Sequence, residues 1–228
     1  MGRPSSLSRR AFEGLAQFLV ALAAFIFLPA WSLRFWQGWL FWGVFSIAVT
    51  WITAYFLKRD PALIERRLKA GPGAEKEKTQ KVVQALASLI FVALLVLPGI
   101  DRRHGWSQLS AAVVLAGDAL IALGMLLVFR VFRENSYASG VVEVERKQRV
   151  ITTGPYRIVR HPMYSGSLLF LWGIPLALGS LWDLLLCLPM TATIVWRLVQ
   201  EEKYLAVNLP GYADYRNTTR YRLIPRIF

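Results

Sequence analysis

The chain has 228 residues, 55% of them hydrophobic, with 9 Trp, 13 Phe and a mean hydropathy of +0.41, a load that excludes an ordinary soluble domain and fits an integral membrane protein. The net charge of +13 would suit nucleic acid. However, the basic residues lie between apolar runs and not on one continuous face, so a membrane surface is the expected partner and nucleic acid is not.

Six apolar runs are read in chain order as membrane helices: residues 12–33, 38–57, 82–100, 109–131, 163–178 and 181–199. The expected fold is all-α, a polytopic helical bundle of about six transmembrane helices. The first run is too long for a signal peptide, and Arg34-Phe35-Trp36 stands where a small-residue cleavage site would be, so it is expected to remain as a helix. Residues 58–81 contain Arg59-Asp60-Pro61, Gly71-Pro72-Gly73 and Glu75-Lys76-Glu77-Lys78. They read as a solvated connection whose cations face anionic headgroups. In the short loop after the third run, His104 has no second ligand nearby and Trp106 reads as an interfacial anchor. Residues 134–160 turn polar; 141–145 alternate and suggest a brief extended piece. The single cysteine, Cys187, lies in the last run, where it makes neither an internal disulfide nor a metal site and reads as a small buried hydrophobe; no metal is expected.

If residues 1–10, 58–81, 130–160 and 197–228 face the cytoplasm, that side holds all 27 Lys and Arg residues except Arg34, Arg102 and Arg103. This asymmetry predicts a multi-pass protein with both termini cytoplasmic, in a bacterial inner membrane or its equivalent. Only Gly179-Ser180 separates the last two runs, which predicts a tight helical hairpin whose polar ends meet on the cytoplasmic side.

Those polar ends carry the chemistry. Before the fifth run stands Thr153-Gly154-Pro155-Tyr156-Arg157-Ile158-Val159-Arg160-His161-Pro162-Met163-Tyr164-Ser165-Gly166; at the end of the sixth come Arg197 and Glu201-Glu202. Pro162 suits the first position of a helix, whose free N–H groups can hold a carboxylate. Arg197 and Glu201 are four apart and share a helix face. Read alone, these residues fit either an interfacial loop with a surface ion pair or a site that attracts a cation at Glu201 and an anion at Arg197.

Arg160-His161-Pro162-Met163-Tyr164-Ser165-Gly166, a hairpin, Arg197-x-x-x-Glu201-Glu202, Gly211-Tyr212-x-x-Tyr215 and Pro225 together resemble the isoprenylcysteine carboxyl methyltransferase family. The phospholipid N-methyltransferases are similar across the Arg-His-Pro-x-Tyr and Glu-Glu elements. The resemblance covers residues 135–228 and divides the chain into N-terminal transmembrane helices (1–132) and a methyltransferase region (133–228). It implies S-adenosylmethionine as methyl donor in a cytoplasmic cofactor site, and a lipophilic methyl acceptor. By position it implies cofactor binding by Tyr156, by His161, Pro162, Met163 and Tyr164, by Glu201, and by the backbone of Gln148, Arg149, Val150 and Ile151; Arg197 matches the catalytic arginine linked to the acceptor. The chain departs from the eukaryotic enzymes at Gln148-Arg149, where they have His-Thr, and at Val141, where they have Gln. Those departures leave the donor in place and the acceptor open: a prenylcysteine-like carboxylate, a lipid headgroup, or a small thiol. A transporter is disfavoured because polar groups are few at mid-membrane; Asp118 and Asp183 are expected near the outer ends of their helices.

Overall fold

The computed structural model describes residues 6–71, 73–75, 77–145 and 148–228. The expectations for residues 1–5, for the turn at Pro72 and for the cations Lys76, Arg146 and Lys147 lie outside the described residues.

The helices are α1 (Ser6–Ala30), α2 (Trp36–Arg59), α3 (Pro61–Leu68), α4 (Lys78–His104), α5 (Ala111–Glu134), α6 (Pro162–Leu178), α7 (Leu184–Asn208) and α8 (Tyr212–Thr218), with a 3₁₀ turn at Gly154–Arg157. No β-strand occurs among the described residues, and 141–145 run without a ladder partner. All six apolar runs are helical. α1, α2, α4, α5 and α7 are long and apolar enough to cross a membrane; α6 has 17 residues. At 1.5 Å per residue α6 is about 25 Å long, somewhat short of a ~30 Å hydrocarbon core.

The chain is an integral membrane bundle, and its packing follows membrane logic. Val20, Leu28, Ile47, Leu89 and Leu188 point outward and are exposed, as lipid-facing side chains are. Lipid tails compete equally for apolar side chains, so close backbone approach must supply the contact energy. α5 and α6 achieve this with glycine on both sides. A Cβ at Gly124 would stand 2.6 Å from Gly166 O and 2.7 Å from Phe170 N; one at Gly173 would stand 2.8 Å from Gly117 O. The main core mixes Leu22, Phe41 and Leu94 with Ile121, Ile174 and Leu198, so it draws on both halves of the chain.

Local chemistry sets the helix ends. Pro61 opens α3, and Asp60 caps it by accepting from Leu63 N at 3.1 Å. Gly105 and Gly179 close α4 and α6 in the left-handed region, at φ 67° and 77°. At this end, opposite the His161-Pro162 motif, Asp101 accepts from Ser107 N and Oγ and from Ser180 Oγ, which ties α4 to the hairpin turn. Asp183 directly precedes α7 and Asp118 is the eighth residue of α5, so both lie toward that end of the bundle. His104 stacks on Trp106, with ring centroids 5.0 Å apart.

The segment 58–81 corrects the sequence reading. Among its described residues it is solvated only in part. α3 buries Leu63 and Ile64 in a second cluster with Ala11, Ile52, Phe56, Phe129 and Phe132, and so lies across the polar end of the bundle. Asp60-Pro61 followed by seven residues with apolar positions at 63, 64 and 68 is a capped amphipathic helix; the surrounding charges obscured it.

Candidate active site

Pro162 occupies the first turn of α6 and His161 its N-cap, as the dipeptide predicts. The approach to that helix is clamped by the segment 219–223. Arg160 N donates to Tyr221 O and His161 N to Arg222 O, each at 2.9 Å. Ser165 Oγ donates to Leu223 O at 2.6 Å. At the centre is Glu202, 4% exposed. Its Oε1 accepts from Arg160 Nε at 2.6 Å and lies 3.2 Å from His161 Nε2; its Oε2 accepts from Arg222 Nε at 2.9 Å. Arg160 Nη1 finishes on the carbonyls of Thr219 and Arg220. Glu202 therefore fastens the tail to the start of α6.

Glu201, its neighbour, faces the other way. Successive helical residues are about 100° apart, so two adjacent acids address two environments. Glu201 Oε2 accepts from the Tyr164 hydroxyl at 2.6 Å, and that hydroxyl accepts from Arg197 Nε at 3.0 Å. Tyr164 thus bridges the predicted pair. Arg197 Nη2 continues to Glu75 Oε1 at 2.9 Å. Glu75 is buried, and its Oε2 accepts from Val142 N at 3.2 Å. Sequence reasoning missed Glu75. It sits in a mixed-charge run, and nothing in the pattern separates it from Glu77, which is exposed.

Around these groups lies a cavity of about 650 Å³. Gln148, Arg149, Val150, Ile151, Tyr156, His161, Pro162, Met163, Tyr164, Arg197 and Glu201 all line it, so the structure brings every sequence-nominated residue to one space. Tyr212 and Tyr215 of α8 add aromatic walls. Tyr156 is fixed by Asn135 Nδ2, 2.8 Å from its hydroxyl, and by Tyr215, whose hydroxyl donates to Tyr156 O at 2.7 Å. Burial raises the pKa of Tyr156 above the phenol range and that of Tyr215 to about 12, so both stay neutral near pH 7. Apolar side chains of α2, α5 and α6 also line the cavity: Phe45, Val49, Ile52, Met125, Val128 and Phe170. A second cavity of about 370 Å³ between α2 and α5 shares Ile52 and Met125 and is otherwise lined by Val44, Ile47, Ala48, Trp51, Ala122 and Leu126. Among the described residues, three groups on the main cavity are buried without a hydrogen-bond partner: Gln84 Oε1, Arg197 Nη1 and Tyr212 Oη.

Residues 112–209 match the model of the phospholipid methyltransferase family. The chain is also similar to protein-S-isoprenylcysteine O-methyltransferase B of Arabidopsis thaliana, with 27% identity over 127 residues, 53% of this chain and 54% of that protein. It thus spans about half the length of the curated relative it matches. The stretch matched by the family model holds loop 148–151, Tyr156, 161–164, Arg197 and Glu201, but not α3, Glu75 or α8.

Proposed function

We propose that this chain is a membrane methyltransferase that uses S-adenosylmethionine and modifies a lipophilic acceptor. The observation that carries the reading is the two-sided cavity: one space joins the polar motif residues to apolar walls of membrane helices. The residues present fit the donor. Tyr156, Tyr212 and Tyr215 offer aromatic faces to an adenine ring and a sulfonium. Glu201 suits an amine or ribose hydroxyl, and the unpartnered Tyr212 hydroxyl has capacity for a polar ligand. When bound, the donor supplies a methyl group on a cationic sulfur, already activated for in-line displacement. The protein's own work is then alignment and exclusion of water. Glu75 holds Arg197 against Gly140, so the guanidinium is positioned before any ligand arrives. The phenols are too weakly acidic near pH 7 to serve as ready bases. An acceptor that attacks as a carboxylate would need none.

The cation-rich side of the bundle is also the side of this cavity, which supports a cytoplasmic site with the acceptor supplied from the bilayer. The family-model match and the plant relative support methyl transfer to lipid-like groups.

Titrating the purified protein in nanodiscs with S-adenosylhomocysteine tests the donor. Saturable binding is expected, Glu201→Ala weakens it, and Arg197→Ala leaves it largely intact while reducing turnover. Absence of saturable binding at millimolar ligand would overturn the donor, and equal loss in both variants would overturn the division of labour. Labelled donor with native membrane extract, fractionated into lipid, protein and volatile products, identifies the acceptor.

A further inference from the structure

Arg67 stands in the last turn of α3 and lines the main cavity. Its Nη1 donates to Ser139 O at 3.0 Å, and its guanidinium lies over the Phe132 ring, 5.3 Å from the centroid. Arg66, Arg160, Arg197 and Arg222 each have a carboxylate partner. Arg67 forms no ion pair among the described residues. Burial lowers its pKa from the ordinary arginine value; Tyr164 opposes that shift and the charge of Arg197 adds to it.

Arg197 reaches the same place from the other side. Its Nη2 lies 3.3 Å from Gly140 O, the carbonyl next to the one Arg67 uses. Its Nη1 is buried with no partner. Two guanidiniums therefore meet on consecutive carbonyls of one loop, one lacking a counter-ion and the other keeping a free donor. Glu75 pairs with Arg197 and the charge of Glu201 also favours it, but neither acid pairs with Arg67. Like charges held together away from water are costly, and an anion between them removes the cost. Guanidiniums are suited to this because their planar forks match carboxylate and phosphate oxygens. The surroundings of Arg67 belong to the apolar side: Ile64 and Phe132 sit in one cluster with Ile52 and Phe56.

Resting on the donor and acceptor reading above, we propose that Arg67 and Arg197 together receive an anionic headgroup, carboxylate or phosphate, carried on a lipophilic chain, with Arg67 as the specificity-determining contact. α3 and its connection then form the acceptor's polar seat, and the apolar wall of α2 and α5 receives its chain. This seat lies partly outside residues 112–209, so the segment that matches the family model does not contain it all.

The test uses the full chain in nanodiscs and three probes of equal chain length: dodecanoate, dodecyl phosphate and dodecanol, each titrated by tryptophan fluorescence. At least one anionic probe should bind about tenfold or more tighter than dodecanol, the size expected of charge-assisted hydrogen bonds. The tighter of the two identifies the headgroup. Arg67→Gln should abolish that preference while S-adenosylhomocysteine affinity stays within about twofold. Equal binding of dodecanol, an unchanged headgroup preference in Arg67→Gln, or a parallel loss of S-adenosylhomocysteine affinity would each overturn the proposal; the last would assign Arg67 to the donor. If Arg67→Gln does not fold, Arg67→Lys decides, since it keeps the charge and loses the fork: a reduced preference supports the proposal and an unchanged one overturns it. Wild-type protein that binds the anionic probes but no S-adenosylhomocysteine would sink the donor reading and leave the headgroup seat standing.

Discussion

Glu201 and Glu202 are neighbours in sequence with the same chemistry, and the geometry gives them opposite consequences when changed. Glu202→Gln keeps the shape and removes the charge. Arg160 and Glu202 have side chains only 6% and 5% exposed. Removing one partner of a buried pair typically costs ~3–5 kcal/mol, because the other charge stays buried without compensation. Arg160 keeps the carbonyls of Thr219 and Arg220, which favours the lower end. Arg222 is one-third exposed, so losing its pairing adds less than ~1 kcal/mol. A loss of about 3 kcal/mol corresponds to a fall in melting temperature of roughly 10 °C for a chain of this length. Glu201→Gln, by contrast, alters a single hydrogen bond to Tyr164 while Arg197 keeps Glu75, a change of about 1 kcal/mol. The assay is thermal unfolding in one detergent, followed by tryptophan fluorescence, with hydrogen exchange of residues 219–223 as a local probe. Glu202→Gln should melt far lower and expose that segment; Glu201→Gln should do neither. If Glu202→Gln melts within about 2 °C of wild type, or if Glu201→Gln is the more damaging, the assignment of the two acids is wrong.

Glycine substitutions separate packing from propensity. Gly124→Leu would drive side-chain atoms into the backbone of α6 at Gly166 and Phe170, which no rotamer relieves, so a loss of at least ~1–3 kcal/mol is expected, whereas Gly43→Ala in α2, with nothing within 4 Å, should be neutral or stabilising by up to ~1 kcal/mol. Equal melting temperatures for the two variants would refute the close-packed α5–α6 seam. The Arg66–Glu145 pair makes a pH prediction. The hydrogen bond from Arg66 is the largest cause lowering the Glu145 pKa, so the folded value lies below an unfolded value of ~4.3. Its contribution is complete above the unfolded pKa and is lost as pH falls through the folded one. Hydrogen exchange at 141–145 should be flat from pH 7 to 5, after correction for intrinsic rates, and should rise below about pH 4. Loosening already above pH 5 would mean that another group holds the segment.

The bundle was legible because six apolar runs of the right length leave few alternatives, and Pro162 and Gly179 marked helix ends by local chemistry; α4 runs on through Asp101 to His104, which read as loop. What hydropathy misplaced was the end of α7. The run stops at residue 199, but Gln200 to Asn208 continue as helix, since Glu, Gln, Lys, Leu and Ala all propagate one and charge alone does not end it. The site's motif residues were legible through resemblance. Its other half was not, because Arg197 meets Glu75 across 122 positions and Arg67 meets Ser139 across 72. No periodicity encodes such pairings. They exist because α3 folds back under the bundle, which buries two side chains that look like loop residues.

That fold-back bears on how donor and acceptor recognition divide. Loop 148–151, Tyr156, 161–164 and Glu201 lie within one sequence stretch, with backbone and aromatic contacts that suit one invariant ligand. The groups proposed for the acceptor come from α2, α3, α5 and the 139–142 loop, with Arg197 contributed by α7. On that proposal, a change in acceptor is absorbed by α2 and α3 without moving the residues proposed for the donor, provided Arg197 keeps its position. Glu75 enforces that position. Both of its oxygens are used, one on Arg197 and one on Val142 N, so it couples the 139–142 loop to α7 through a single buried carboxylate.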